Sequence, residues 1–328
     1  MRLRLITLFC ILMLVLTACG PFGGTGTPNP DLASTIIAAT VNAYLSQTPP
    51  VPTQTPTPTP SPTEVPPGDI PAAAAPLPVP AGTVTILLMG SDQRPDARDF
   101  RTDTMLLVAL KPDGSVSLVS FPRDLWVYLP DQFMQRINAA QEFGGFDLVK
   151  STFEYNFGIA PQSYVLTNFS GFKSIVDSLG GIDVLVGQSL TDSRDGYPGG
   201  FTLNAGIVHM DGETALWYVR ARKTTSDLDR LRRAQEVILG LGSKLLSLNG
   251  LKRIPELYAV YRGAVVTDLT LQDVVGLLPV LQAVDANKIQ RYAISTDQVI
   301  PFITYSGADV LLPRPEAIRS LLLQALGN

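Results

Sequence analysis

The sequence predicts an α/β domain, a three-layer α/β/α sandwich around a mixed central sheet. Three observations predict it. Apolar runs of strand length alternate with helical periodicities from Thr83 onward, the interleaving that lays helices over a sheet. A hairpin lies among the strands, so the sheet is not purely parallel. The chain has 328 residues, 45% apolar and 16% charged, enough apolar side chains for a sizeable core.

The run "TVTILLM" (83–89) is continuous, apolar and rich in β-branched residues, which predicts a strand buried on both faces. "TMLLVAL" (104–110) and "SVSLVSF" (115–121) flank Lys111-Pro-Asp-Gly114, a turn that makes them an antiparallel hairpin. Helical spacing follows over Arg136 to Glu142 and Phe146 to Asn156. A strand is expected at 163–169, a helix at Ser170 to Leu179 and a strand at "IDVLV" (182–186). Asp211 is an N-cap candidate for a helix reaching Arg222. A longer helix from about Leu228 to Leu248 carries Leu231, Ala234, Ile238, Leu241 and Leu245 on one face. Two helices within 251–283, two strands within 289–303 and a helix from Pro315 to Leu326 complete the expectation.

What precedes Thr83 has a different composition. Arg2 and Arg4 open a positive region, and Leu5 to Ala18 is an apolar run of 14 residues, short for a membrane span of about 20. This predicts a signal peptide over 1–18. "LTACG" then resembles the lipobox of bacterial lipoproteins, which implies lipidation of Cys19; an uncleaved signal anchor is the alternative. A lipidated N-terminus and juxtamembrane segment would occupy 19–46. The Pro/Thr-rich stretch 47–82 predicts a disordered linker favouring polyproline II, able to span on the order of 100 Å at ~3.1 Å per residue. Residues 83–328 form the expected folded domain. Both arrangements of the leader tether it to the membrane on the extracytoplasmic face.

The two cysteines, Cys10 and Cys19, both lie in the leader region, so the domain runs its chemistry without a disulfide or thiol nucleophile. The net charge of −4 argues against a nucleic-acid partner. P-loop, H-E-x-x-H, EF-hand and G-x-S-x-G patterns are absent. The single histidine, His209, reads as structural, between elements.

Charge collects in three places. In "GSDQRPDARDFRTDT" (90–104), Asp92 follows one strand and Asp103 precedes the next. If those strands are neighbours, both carboxylates reach one sheet edge. A pair of oxygen-only ligands suits Mg²⁺, although spacing alone is more often that of solvated loop acids. Arg123 leaves the end of the strand 115–121, which the hairpin lays beside the start of 104–110, so Arg123 falls close to Asp103. In "YVRARKTTSDLDRLRRAQ" (218–235), Arg220, Arg222, Arg230, Arg232 and Arg233 accompany one lysine in a net acidic domain. Guanidinium forks grip phosphate bidentately, whereas lysine suffices for solubility. Arg230 and Arg233 share a helix side, and Arg232 is set to pair with Glu236.

These pieces, in order, resemble the LytR-CpsA-Psr proteins of bacterial cell-wall assembly: "LLMGSDQR", "FRTDTMLLVAL", "VSFPRDLWVYLP", "RINAAQEFGG", "FKSIVDSLGGIDV" and "MDGETALWYVRAR" followed by "SDLDRLRRAQEVI". The resemblance covers about residues 83 to 248. It implies a phosphotransferase that joins a glycopolymer, carried on a polyprenyl (di)phosphate, to peptidoglycan through a phosphodiester. It implies a lipid groove with the diphosphate at its mouth, held by arginines and Mg²⁺.

By that resemblance Asp92 and Asp103 match the metal aspartates, and Arg94 and Arg101 basic positions of the same loop. Arg123 and Asp124 match the P-R-D motif, Arg220 and Arg222 an R-x-R, and Arg230, Arg233 and Gln235 the following helix. Arg136 stands where lysine is common, and Ala234 where glutamine is. Asp124, Asp92 and Asp103 are the carboxylates available to deprotonate the acceptor. The competing readings are a polyprenyl-diphosphate phosphatase and a non-catalytic lipid- or solute-binding lipoprotein.

Overall fold

A computed structural model describes residues 70–94, 100–246, 258, 261–304 and 306–327. The predicted leader, Cys19, the segment 19–46 and the linker up to residue 69 lie outside the described residues.

Three strands open the domain: β1 (Val84–Ser91), β2 (Thr102–Leu110) and β3 (Val116–Phe121). β1 and β2 are antiparallel neighbours, and β2 and β3 form the predicted hairpin with Met105 opposite Phe121. A small hairpin of β4 (Trp126–Tyr128) and β5 (Met134–Arg136) follows, then a 3₁₀ turn (Ile137–Ala139) and α1 (Ala140–Phe157). Gly144 and Gly145 depart from helical angles, which is why helical spacing breaks between Glu142 and Phe146. Next come β6 (Ser163–Asn168), α2 (Phe169–Ser178) and β7 (Ile182–Val186).

The stretch between 187 and 210, to which the sequence assigned no element, contains three strands, β8 (Leu190–Arg194), β9 (Tyr197–Leu203) and β10 (Gly206–Met210). β10 pairs with β7 and puts His209 Nδ1 2.7 Å from Asp183 Oδ1, so His209 belongs to a strand. Asp211 caps α3 (Gly212–Arg220) by accepting from Thr214 N, and α4 runs Asp227–Leu246. The remainder holds β11 (Val265–Thr267), α5 (Leu271–Gly276), α6 (Leu278–Gln282) and β12 (Ile289–Ala293). A hairpin of β13 (Val299–Ile303) and β14 (Asp309–Pro313) precedes α7 (Pro315–Leu326). Among the described residues no helix is long and apolar enough to cross a membrane.

The central sheet runs β11-β6-β1-β2-β3-β12, with β1–β6 and β3–β12 parallel and its other pairs antiparallel. This is the mixed sheet the sequence predicts. Because side chains alternate across a strand, β1 to β3 have two apolar faces. Leu87, Leu107, Val119 and Phe121, all 0% exposed, pack with Val149 and Phe153 of α1 and Leu322 of α7. Leu88, Leu106, Val108 and Leu118 face the other way, toward Ile238 and Leu239 of α4. Helices therefore cover both faces, but unequally: Leu88 and Val108 are only half-buried.

The packed body begins before Thr83. Ala74 N donates to Tyr155 O at 2.7 Å, Leu77 N donates to Gly158 O at 2.8 Å, and Leu77 is buried. Gly158 has φ +71°, and a Cβ there would stand 2.2 Å from Ala75 O. Proline-rich composition led to a linker ending at 82. The non-proline residues of such a segment still donate N–H groups and its carbonyls still accept, as Ala75 O does from Arg319 Nη1 at 2.6 Å, and Leu77 supplies an apolar anchor.

Candidate active site

The unequal covering of the sheet leaves a cavity of about 1370 Å³ between its second face and α4. Its walls are mainly apolar. Ile86 and Leu88 of β1, Leu106 and Val108 of β2, and Leu118 of β3 face Ala234, Ile238, Leu241 and Leu245 of α4. Four of the five residues assigned from sequence to one face of this helix thus line the cavity. Leu231 is buried elsewhere.

At one end the lining becomes charged. Asp92, Arg94, Arg101, Asp103, Arg123, Asp124, Arg136, Arg220, Arg222 and Arg230 all border the same cavity. Sheet topology brings them there. Asp92 follows the end of β1, Asp103 lies at the start of antiparallel β2, and Arg123 follows the end of β3. Arg220 ends α3, and Arg230 lies in the first turns of α4.

Arg123 is the hub. Its Nη1 donates to Asp103 Oδ1 at 2.8 Å and its Nε to Asp124 Oδ2 at 3.3 Å. Asp124 also faces Arg136, whose Nε is 3.3 Å from Asp124 Oδ1 and whose Nη2 donates to Asp309 O at 2.6 Å. One carboxylate therefore orients two guanidinium groups. Burial works to lower the Arg123 guanidinium, but the Asp103 hydrogen bond and the charges of Asp103, Asp124 and Asp227 outweigh it and raise its pKa. Burial lowers Arg230, Asp227 opposes that at 3.4 Å, and the charge of Arg123 adds to the lowering. The arginines stay charged, and their mutual repulsion favours an anion between them.

The remaining mouth residues are looser. Arg101 N reaches Asp92 Oδ1 at 3.5 Å, and Arg101 Nε lies 3.7 Å from Glu142. Arg94 and Arg222 are exposed. Arg220 stacks on the Phe169 ring at 4.1 Å, a cation–π contact that steers the guanidinium. Among the described residues no group of three histidine, cysteine or acidic side chains gathers.

Two predicted phosphate ligands are elsewhere. Arg233 is 0% exposed and donates to the carbonyls of Tyr218, Ala221 and Asp229 and to Thr225 Oγ1. It ties the end of α3 to α4. Gln235 is buried, donating to Ser120 Oγ and Tyr292 O and accepting from Arg291. Both side chains are spent on the scaffold. Arg232 pairs with Glu236, as its spacing predicts.

Sequence patterns assigned no site role to Asn138, Phe169, Glu236 or Arg262, which also line the cavity. Asn138 stood inside a quoted motif without a role. For Phe169 the signal was an aromatic opening a helix.

A family model described as LytR_cpsA_psr family matches residues 70–317. The polyisoprenyl-teichoic acid–peptidoglycan teichoic acid transferase TagU of Enterococcus faecalis is 37% identical over 195 residues, 58% of this chain and 62% of that protein. TagT of Bacillus subtilis, named for the same activity, is 30% identical over 218 residues, 63% of this chain and 68% of that one. Against the TagU proteins of Enterococcus faecalis and Oceanobacillus iheyensis, the matched region spans 62% of their length. The crystal structure of Bacillus subtilis TagV superposes with a TM-score of 0.63 at 26% identity, over 74% of this chain and 97% of that chain. A structure described as TagT bound to LI-WTA gives 0.59 at 25% identity, over 75% and 91%.

Proposed function

This chain belongs to the LytR-CpsA-Psr family, and from that premise we propose that it is an extracytoplasmic phosphotransferase. It takes a glycopolymer from a polyprenyl-(di)phosphate carrier and joins it to peptidoglycan. The observation that carries this reading is the meeting of Arg123, Arg136, Arg220, Arg222 and Arg230 at the mouth of one apolar cavity. An apolar tail with a diphosphate head matches that division. Each prenyl carbon buried is favourable by up to about 0.8 kcal/mol.

In the reaction, an acceptor hydroxyl oxygen bonds to the phosphorus that carries the glycan. The bridging P–O bond breaks, and polyprenyl phosphate leaves with that electron pair. The hydroxyl proton goes to a carboxylate at the mouth. An ionised diphosphate repels the incoming oxygen, so the work is neutralisation and alignment. Arg123 and Arg230 converge on the head from the sheet and from α4. Asp124 is a positioning residue, aiming Arg123 and Arg136 together.

Asp92 and Asp103 fit a Mg²⁺ ion in donor chemistry, since both offer oxygen alone. Such an ion, when bound, supplies further neutralisation of the diphosphate. Asp103 would then be shared between the ion and Arg123.

The leader supports anchoring through a lipid on Cys19, which would hold the domain at the outer face of the membrane where carrier and wall meet. Incubating the protein with lipid-linked glycan and peptidoglycan tests the assignment. A covalent polymer–wall adduct is expected, with chelator lowering its yield. Release of free glycan phosphate alone would assign a phosphatase instead.

A further inference from the structure

One buried atom at the mouth has no partner. Asn138 sits in the 3₁₀ turn between β5 and α1, is 3% exposed, and borders the cavity. Among the described residues no donor reaches its Oδ1, although that atom is buried. The residue is firmly held. Asn138 N donates to Arg123 O at 3.4 Å, and Asn138 O accepts from Thr102 Oγ1 at 3.4 Å. Thr102 adjoins Asp103 in sequence, so these two bonds tie the backbone of Asn138 to both segments that carry the Arg123–Asp103 ion pair.

Leaving an amide oxygen buried and unpaired is unfavourable, and native interiors mostly complete the bond with water, an ion or a ligand. A cation could complete it, and otherwise the ligand must bring a donor. An ionised diphosphate has oxygens but no N–H or O–H, so it leaves Oδ1 unsatisfied. The second reactant is an alcohol, whose O–H is a donor.

Resting on the transfer reaction proposed above, we propose that Asn138 binds the acceptor sugar, its Oδ1 taking a hydrogen bond from the attacking hydroxyl. The amide takes no proton. It turns the hydroxyl so that an oxygen lone pair faces the phosphorus held by Arg123, while the proton passes on to a carboxylate of the mouth. Water is small and attacks without that alignment, so Asn138 favours transfer over hydrolysis.

The test uses the full chain, a polyprenyl-diphosphate-linked disaccharide and an uncrosslinked peptidoglycan strand. Adduct and free disaccharide phosphate are quantified together. Asn138→Ala and Asn138→Leu are expected to lower the adduct-to-hydrolysis ratio about 10- to 100-fold, the loss of one buried hydrogen bond. Asn138→Asp, which keeps an acceptor oxygen in place, should hold the ratio within about threefold of wild type, and it also serves if the apolar variants fail to fold. An unchanged ratio in the Ala and Leu variants overturns the proposal. So does an Asp variant as defective as Ala. An intact ratio with a rise of about tenfold in the Mg²⁺ concentration for half-maximal rate would make Asn138 a metal ligand instead. Absence of adduct from the wild type defeats the transfer reading itself, and this inference falls with it.

Discussion

Arg123 Nη1 lies 2.8 Å from Asp103 Oδ1, joining the residue that follows β3 to the start of β2 across the cavity mouth. The bond does two things: it aims the guanidinium and leaves Asp103 one further oxygen for a cation. Arg123→Lys keeps the charge and loses the planar fork. Transfer should fall about 10²-fold, the size of losing one oriented donor to a developing anion, while the melting temperature moves by only a few degrees. Adduct yield and a thermal melt on the same preparation check this; full activity in the lysine variant would remove Arg123 from the chemistry.

Arg230 and Arg233 are adjacent on a helical wheel and opposite in consequence. Arg230 faces the mouth, so Arg230→Ala should depress transfer by an order of magnitude or more with little change in stability. Arg233 holds carbonyls of α3 and α4 and has no surface. Arg233→Met orphans those carbonyls and should destabilise the fold by about 2–5 kcal/mol. Urea unfolding of both variants separates the cases.

That pair also marks how far the sequence can be read. The Arg123–Asp103 contact follows from hairpin register, because antiparallel pairing forces Met105 opposite Phe121 and so brings the flanking residues together. The fate of Arg233 depends on which carbonyls α3 presents to it, and periodicity along α4 is blind to that. Similarly, "LTDSRDGYPGGFTL" (190–203) has the polar, glycine- and proline-rich composition of a loop. It becomes the β8–β9 hairpin because Leu190 and Leu203 reach a core shared with Tyr218 and Val237. The short strand β11 has three residues, too few for any periodicity to register.

The cavity predicts a dependence on the lipid rather than on the head group. Ile238 of α4 packs against the cluster that holds Leu106 and Leu118, and all three line the cavity. Ile238→Trp would fill part of that space without touching an arginine. KM for a long-chain polyprenyl donor should rise about tenfold, and a donor with one or two prenyl units should be turned over as by wild type. Steady-state rates with the two donors check the prediction. Equal effects on both would mean that the tail lies elsewhere.

The segment carrying Arg222 is held by a carboxylate outside the mouth, which gives a pH-dependent prediction. Asp192 of β8 is 4% exposed and accepts from Lys223 N at 2.8 Å and from Ser193 N at 2.6 Å. Burial alone would raise its pKa, but the hydrogen bonds from Ser193, Lys223 and Thr224 together outweigh it and hold the group below its ordinary value of 3.8. A carboxyl group depressed in the folded state stabilises the fold above its unfolded pKa and loses that contribution as pH falls through the folded value. Asp192→Asn should therefore be less stable than wild type at pH 7, by about 1–3 kcal/mol for a buried charge-assisted hydrogen bond. As pH falls from the ordinary carboxylate value toward the depressed folded one the gap should narrow, because the unfolded wild-type carboxyl is then protonated and the folded carboxylate must take up a proton as well. Denaturant unfolding at pH 7 and near pH 3 measures both gaps, and a gap that stays constant or widens in acid would show that this carboxylate does not hold the Arg222 segment through its charge.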